Sequence, residues 1–416
     1  MKVAVIGAGV VGVTTAYELA EQGHQVEIFE RHGAAAEASS FGSAGVLSAA
    51  YAGAWYRPGL TRRAIGQMWQ RHAAARLHSL GWRDLRWWMR WRKTALSPAF
   101  ATNQAQLITL AAYSRAQLAQ RSAILRLEYD NSPGFLALLR SEQDLRLMEP
   151  SLAVMRSMGL PFTVLSADEA RTLEPALNPN TPLHQAIHFA EDRIANCRQY
   201  TLLLKHEAEK LGAVFHFNTP VLPLSKSQPK LVRTPQNHEG TEFDAVVLCS
   251  GAAARHMLRP LGVRLPSTNI YGYAINAPLR EALDAPRNGI LDERYMATIT
   301  RLGQRVRISG GTEFGHASPT HHHASLRTLY QVLEDWFPGA ARTQDQPQIW
   351  KGTRTALPDG LPVIGPSGVD GVWLNLGHAS GGWTLASGSA KALADSMNHK
   401  TPDVDLSGFG LERLRR

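Results

Sequence analysis

At 416 residues, 44% of them hydrophobic and 19% charged, the chain can bury a sizeable core, fits two domains of ordinary size and is not a disordered polymer. A formal charge of +9 admits anionic partners, while Cys197 and Cys249, the two cysteines, supply neither a disulfide framework nor metal-ligand spacing and point to a reducing compartment. No run of 18 apolar residues occurs, which excludes an ordinary membrane span, and the glycine-punctuated start does not read as a signal peptide, so a cytoplasmic location is expected.

The first element is an apolar strand, Val3-Ala4-Val5-Ile6, running into Gly7-Ala8-Gly9-Val10-Val11-Gly12 and then into a helical pattern that stops at Gly23. A second strand, Val26 to Phe29, ends on Glu30-Arg31. Gly7 allows the tight turn, Gly9 lets backbone approach a pyrophosphate, and Gly12 lets helix and strand pack closely. The helix start offers N–H groups and a positive dipole end to phosphate, and Glu30 can accept hydrogen bonds from ribose hydroxyls. Strand, glycines, helix, strand and terminal acid in register indicate a bound dinucleotide rather than a purely structural turn. They leave FAD and NAD both open.

Small residues follow from Gly33 to Gly45, with Ser39, Ser40 and Ser43 among them, and then an aromatic loop, Tyr51-Ala52-Gly53-Ala54-Trp55-Tyr56-Arg57-Pro58-Gly59. Between Arg62 and Lys93 nine basic residues face one acid, Asp84, a net charge of +8 in 32 residues, and Trp69, Trp82, Trp87, Trp88 and Trp91 are five of the ten tryptophans. A helix over 82–93 would put Arg83, Arg86, Arg90 and Lys93 on one stripe and Trp82, Leu85, Trp88 and Met89 on another. That pattern suits an anionic membrane surface, which would make the protein peripheral on the inner face of the cell membrane. A solvated basic face with core tryptophans competes with it, and nucleic acid ranks third.

Residues 60–128 read as mostly helical, 129–140 as a strand pair, and 141–159 as a helix. Ser166 to Glu169 opens a short helix as a capping box. A helix from Cys197 leads to a parallel strand over 214–221, and Phe243 to Leu248 is a buried strand entering Ser250-Gly251. A sheet strand this late in the chain makes the nucleotide domain discontinuous. Residues 270–277 and 305–309 read as strands of a second, mostly antiparallel sheet, followed by a helix over 325–336, a strand over 372–377 and a helix over 383–396. Thr320-His321-His322-His323 reads as a solvated loop, and no metal site is expected. The fold class is α/β: a Rossmann-like, discontinuous nucleotide domain (1–58, 175–265 and 348–416) and an α+β substrate domain on an antiparallel sheet (59–174 and 266–347).

With these pieces in place the chain resembles the D-amino acid dehydrogenase small-subunit family, within the flavoprotein superfamily of D-amino acid oxidase and glycine oxidase, over nearly its whole length. The segments that carry the likeness are Val3 to Arg31, the aromatic loop, Leu291 to Arg301, and Arg305 to Gly311. Most specific are Gly352-Thr353-Arg354 through Pro358-Asp359-Gly360-Leu361-Pro362-Val363-Ile364-Gly365, and Leu374 to His378 through Gly381-Gly382-Trp383-Thr384. The resemblance implies FAD, with the substrate carboxylate on Arg354. It makes Gly377, Gly381, Gly382, Trp383 and Thr384 the flavin loop, places Val221, Ser250 and Gly251 around the adenine, and puts Ser39, Ser40, Ser43 and Gly45 near pyrophosphate and flavin. A guanidinium fork suits a carboxylate. The chain departs from the family where Ser43 replaces Asn, Arg354-Thr355 replaces Arg-Pro, and Tyr271-Gly272-Tyr273 replaces Lys-Gly-Tyr. No cysteine follows Cys249, so FAD should be non-covalent.

The implied reaction is oxidative deamination of a D-amino acid to a 2-oxo acid and ammonia by hydride transfer to flavin, with electrons passing to a membrane quinone or another non-oxygen acceptor. Tyr51, Tyr271, Tyr273 and His378 are candidates to shape the pocket or take the amine proton, with a packing role as the alternative for each. Competing functions are a flavin oxidase of glycine, sarcosine or a cyclic imino acid that makes hydrogen peroxide, and, more remotely, a flavoprotein that modifies tRNA.

Overall fold

The computed structural model describes residues 1–67, 70–78, 81–315 and 321–415, with backbone alone at 54, 61, 62, 64 and 65. Trp69, the Arg62 side chain and Thr320 therefore lie outside the described residues.

Two sheets organise the chain. The first has six strands in the order Val363–Pro366, Val372–Leu376, Ala245–Leu248, Lys2–Ile6, Gln25–Phe29 and Val214–His216. All neighbours are parallel except the first two. Its central strand is buried along Val3 to Ile6, because helix Val10–Glu21 covers one face, with Val13, Ala16, Tyr17 and Leu19 in the core. Helices Cys197–Lys210 and Gly382–Met397 pack beside it on that side. The other face rests on Leu224, Phe243, Met257 and Leu258. A parallel sheet buried on both faces explains the near-continuous apolar runs of its strands.

The second sheet runs Gln348–Ala356, Thr268–Pro278, Arg305–Phe314, Ala297–Leu302, Gly289–Asp292, Asn131–Leu139, Gln185–Ala195 and Val46–Leu47, with Ala75–Leu77 and Thr163–Ser166 paired at its sides. Most pairs are antiparallel; Asn131–Leu139 runs parallel to Gly289–Asp292, and Ala75–Leu77 runs parallel to Arg305–Phe314. Helix His323–Trp336 seals one face through Leu329, Val332, Leu333 and Trp336.

One expectation changes, and two others gain detail. Residues 129–140 hold one strand, Asn131–Leu139, whose antiparallel partner is the distant Gln185–Ala195 and not a hairpin mate. Strands 46–47, 185–195 and 348–356 belong to the large sheet, so the expected boundaries at 58, 175 and 348 cut across it. In helix Trp82–Ala95 it is Trp87 and Trp91 that are buried, stacked on one another and against Phe314, and Trp88 is half-buried beside them. The exposed apolar residues are Trp82, 83% exposed, with Leu85 and Met89. Ser166 does cap its helix, accepting from the Glu169 amide at 3.3 Å.

Candidate active site

A cavity of about 520 Å³ opens at the C-terminal ends of the parallel strands, the place where open α/β sheets bind ligands. Gly7, Gly9, Val10 and Val11 form one wall, with Glu30 and Arg31 at one end. Gly7 has φ +106°, and a Cβ at Gly12 would collide with the Gly7 carbonyl, so both glycines are required by the turn itself. The helix beginning at Val10 has no side-chain cap of its own; the Val10 amide donates to Ser40 Oγ at 3.0 Å. Glu30 accepts from the amides of Ala8 (2.8 Å) and His32 (3.0 Å), so its carboxylate braces the turn. Four lone-pair sites leave it capacity for ribose hydroxyls as well. Ser39, Ser40, Val221, Ser250 and Gly251 complete this end, and the buried Ser250 Oγ has no partner among the described residues.

At the other end the cavity meets a second one of about 160 Å³, with which it shares Val10, Ser39, Ser40, Arg354, Ala379 and Gly382. Ser43, Tyr51, Gly381, Trp383 and Thr384 line the second cavity, and Gly377 and His378 line the first. Helix Gly382–Met397 starts here without a side-chain cap and without an acid in its first turn. Its start is held by Trp383 Nε1 donating to the Ala195 carbonyl (3.2 Å) and Thr384 Oγ1 donating to the Val46 carbonyl (3.2 Å). An uncapped helix N-terminus favours negative charge.

Arg354 stands where the two cavities join. Burial alone depresses its pKa, and among the described residues it forms no ion pair with a carboxylate, unlike Arg57, Arg63, Arg121 and Arg140. Gly272, across the strand pair, makes room for it: a Cβ there would lie 2.9 Å from Arg354 Nη2. A half-buried guanidinium without a counter-ion, lining both cavities, is a place for an anion.

The remaining candidates are less central. Tyr51 donates its hydroxyl to Glu293 (2.8 Å), which also pairs with the buried Arg57, so the ring faces the cavity while the hydroxyl is committed elsewhere. His378 is buried, shares a hydrogen bond with Ser389 Oγ at 3.1 Å, and is pushed down to about 3 by burial. Tyr271 and Tyr273 line neither cavity; Tyr273 is fully buried and bonded to Glu313 at 3.0 Å, and Lys351 lies over both rings. Gly12 and Gly45 also lie outside the linings, and Gly45 turns its loop at φ +82°. Trp350 was not legible beforehand: its ring fills the space a side chain would take at Gly42 and Gly352, and it lines the larger cavity. Those two glycines, far apart in sequence, were its only signal. Met296, at φ +47°, and Glu293 carried none.

Residues 2–396 match the DAO family, described as FAD dependent oxidoreductase. The chain belongs to the DAO family of FAD-dependent oxidoreductases. Among its DAO-family relatives it is 36% identical over 417 residues to a D-amino acid dehydrogenase of Cereibacter sphaeroides, covering 99% of this chain and 95% of the relative. It is 34% identical over 416 residues to one of Rhizobium johnstonii, covering 99% and 100%. Of solved structures, glycine oxidase from Geobacillus kaustophilus superposes with a TM-score of 0.77 at 21% identity, covering 99% of this chain and 98% of that one. L-proline dehydrogenase from P. horikoshii gives 0.74 at 17%, covering 100% and 98%. At those identities the likeness shows the shared fold. The DAO-family cofactor is FAD, and the residues present could hold it: the glycine cradle with its uncapped helix suits a pyrophosphate, Glu30 a ribose, and the uncapped helix start at 382 an electron-rich ring, while Ser250 Oγ lacks a partner among the described residues.

Proposed function

We propose that the chain catalyses the oxidative deamination of a D-amino acid to a 2-oxo acid and ammonia and passes the electrons to an acceptor other than oxygen. The observation that carries this reading is Arg354: a half-buried guanidinium with no carboxylate partner among the described residues, at the junction of the cofactor cavity and the second cavity. It anchors the substrate carboxylate, which sets Cα in the smaller cavity. FAD, held non-covalently, supplies the two-electron oxidation when bound. Both cysteines support non-covalent binding, because burial pushes each thiol up to about 12 and keeps it protonated. The Gly381 amide is spent on the His378 carbonyl at 2.9 Å, so the Gly382 amide and the uncapped helix start it opens would be what favours negative charge on a bound flavin. The ring of Tyr51 and the side chain of Met296 exclude water. Neither Tyr51, whose hydroxyl donates to Glu293, nor His378, neutral throughout the working range, is set to take the amine proton. The substrate amine therefore loses it to water or arrives neutral.

For the acceptor we infer a membrane quinone, reached from an anionic bilayer surface. Trp82, Leu85 and Met89 are exposed on helix Trp82–Ala95 among Arg83, Arg86, Arg92 and Lys93. The basic field continues to Arg255, whose pKa is depressed by burial first and then by the charges of Arg83 and Arg259. Among the described residues no helix is long and apolar enough to cross a membrane, so attachment would be peripheral.

The test is anaerobic mixing of the holoenzyme with D-amino acids, L-amino acids and N-methylglycine while following flavin absorbance. D-amino acids should bleach it; bleaching only by N-methylglycine or glycine, with peroxide formed in air, would favour the oxidase reading instead. Arg354→Ala should keep its flavin spectrum and lose about 10²–10³-fold in kcat/KM. Unchanged kinetics would remove Arg354 from the site.

A further inference from the structure

On the far side of Arg354 lies a narrow slot of about 20 Å³, room for one or two methyl-sized groups. It shares Trp55, Thr312, Arg354, Ala379 and Ser380 with the smaller cavity, and its other walls are Tyr56, Trp87, Trp91, Ile270 and Phe314. Two of its aromatic walls have their polar groups engaged by backbone carbonyls. Tyr56 Oη donates to the Leu357 carbonyl at 2.9 Å and Trp87 Nε1 to the Ala356 carbonyl at 3.1 Å. Trp87 and Trp91 stack with centroids 5.7 Å apart, and Phe314 lies against both. Among the described residues, none besides Arg354 that lines the slot is charged.

We propose that this slot is the substrate's side-chain pocket and that Trp87 and Trp91, carried in by helix Trp82–Ala95, determine specificity by restricting it to short, uncharged aliphatic side chains. This rests on Arg354 as the carboxylate anchor. A carboxylate on the guanidinium leaves Cα one bond away, so a substituent on Cα meets the apolar recess beside Arg354. A charged side chain would lose its hydration there without a partner. An aromatic one would overfill walls already pinned by hydrogen bonds and stacking. The walls come from the aromatic loop, helix 82–95 and strands 268–278 and 305–314, which is why no single sequence motif announces the slot.

The experiment compares anaerobic flavin reduction by D-2-aminobutyrate, D-valine, D-phenylalanine and D-glutamate in the wild-type holoenzyme and in Trp91→Ala. The wild type should favour the first two over the others by at least tenfold in kcat/KM. Trp91→Ala should raise the D-phenylalanine to D-2-aminobutyrate ratio at least tenfold, mostly through KM. Equal losses for all four substrates would overturn the slot while leaving the Arg354 reading intact. Failure of every D-amino acid to bleach the wild-type flavin would overturn both. Should Trp91→Ala not retain flavin, Phe314→Leu provides the same ratio test. Butyrate and phenylacetate, which bind without reacting, should then show the same reversal in their perturbation of the flavin spectrum.

Discussion

His378 lies just ahead of the uncapped helix start at 382, yet its environment makes it a neutral strut and not a proton carrier. Burial lowers its pKa from 6.5 to about 3, with Ser389 Oγ as its side-chain hydrogen-bond partner. The folded pKa lies below the unfolded one, so the unfolded chain takes up the proton first on acidification. The imidazole's contribution is therefore complete above about pH 6.5 and declines as the pH falls toward 3. Between pH 6.5 and 5 that amounts to about 2 kcal/mol at 1.36 kcal/mol per unit. Urea midpoints of wild type and His378→Asn at both values should show the wild type losing that much more stability than the variant. Parallel losses would mean that the histidine titrates normally. Tyr51 makes a related point at this scale: the sequence places it correctly in the aromatic loop, but only the fold reveals that Glu293, 242 residues away, takes its hydroxyl.

Among the elements, the strand-turn-helix over 2–21 was readable in full, because each glycine answers a local demand of the backbone and the acid after the next strand completes the pattern. The large sheet was readable only in part. Its strand 185–195 carries Glu191, Asp192 and Arg193 amid apolar residues, and besides Thr163–Ser166 it pairs with the distant strands 131–139 and 46–47, so neither periodicity nor a tight turn signals it. Helix 82–95 was legible as amphipathic, but which tryptophans face inward was not: Trp87 and Trp91 lie four residues apart and turn toward Phe314 on the distant strand 305–314, a contact no local pattern contains. That leaves Trp82, Leu85 and Met89 outside, and a prediction belongs to this element. The holoenzyme should co-sediment with liposomes containing anionic phosphatidylserine at low salt, release at high salt, and lose at least tenfold in affinity on Trp82→Ser with Met89→Ser. No sedimentation at low salt would leave the helix without a lipid role.

At the scale of the whole molecule, the segment that carries the aromatic loop is tied to the large sheet through the buried Arg57–Glu293 pair, in which Arg57 is 2% exposed and Glu293 fully buried. Glu293→Gln keeps the shape but leaves the guanidinium's charge without its carboxylate, a change that costs about 3–5 kcal/mol for a buried pair. Urea unfolding of the holoenzyme near pH 7 should show that loss; a change under about 1 kcal/mol would make the pair dispensable to the tie. The order of strands in the smaller sheet carries one more consequence, for synthesis. Its central strand 2–6 is made first, but its neighbour 245–248 comes much later and 372–376 nearly at the end. A growing chain thus exposes a bare apolar strand edge until residue 376 has emerged, and it has the glycine turn long before it has the helix start at 382. On the function proposed above, flavin capture can complete only once residue 384 has emerged, and fragments stopped short of Thr384 should aggregate in preference to binding the cofactor.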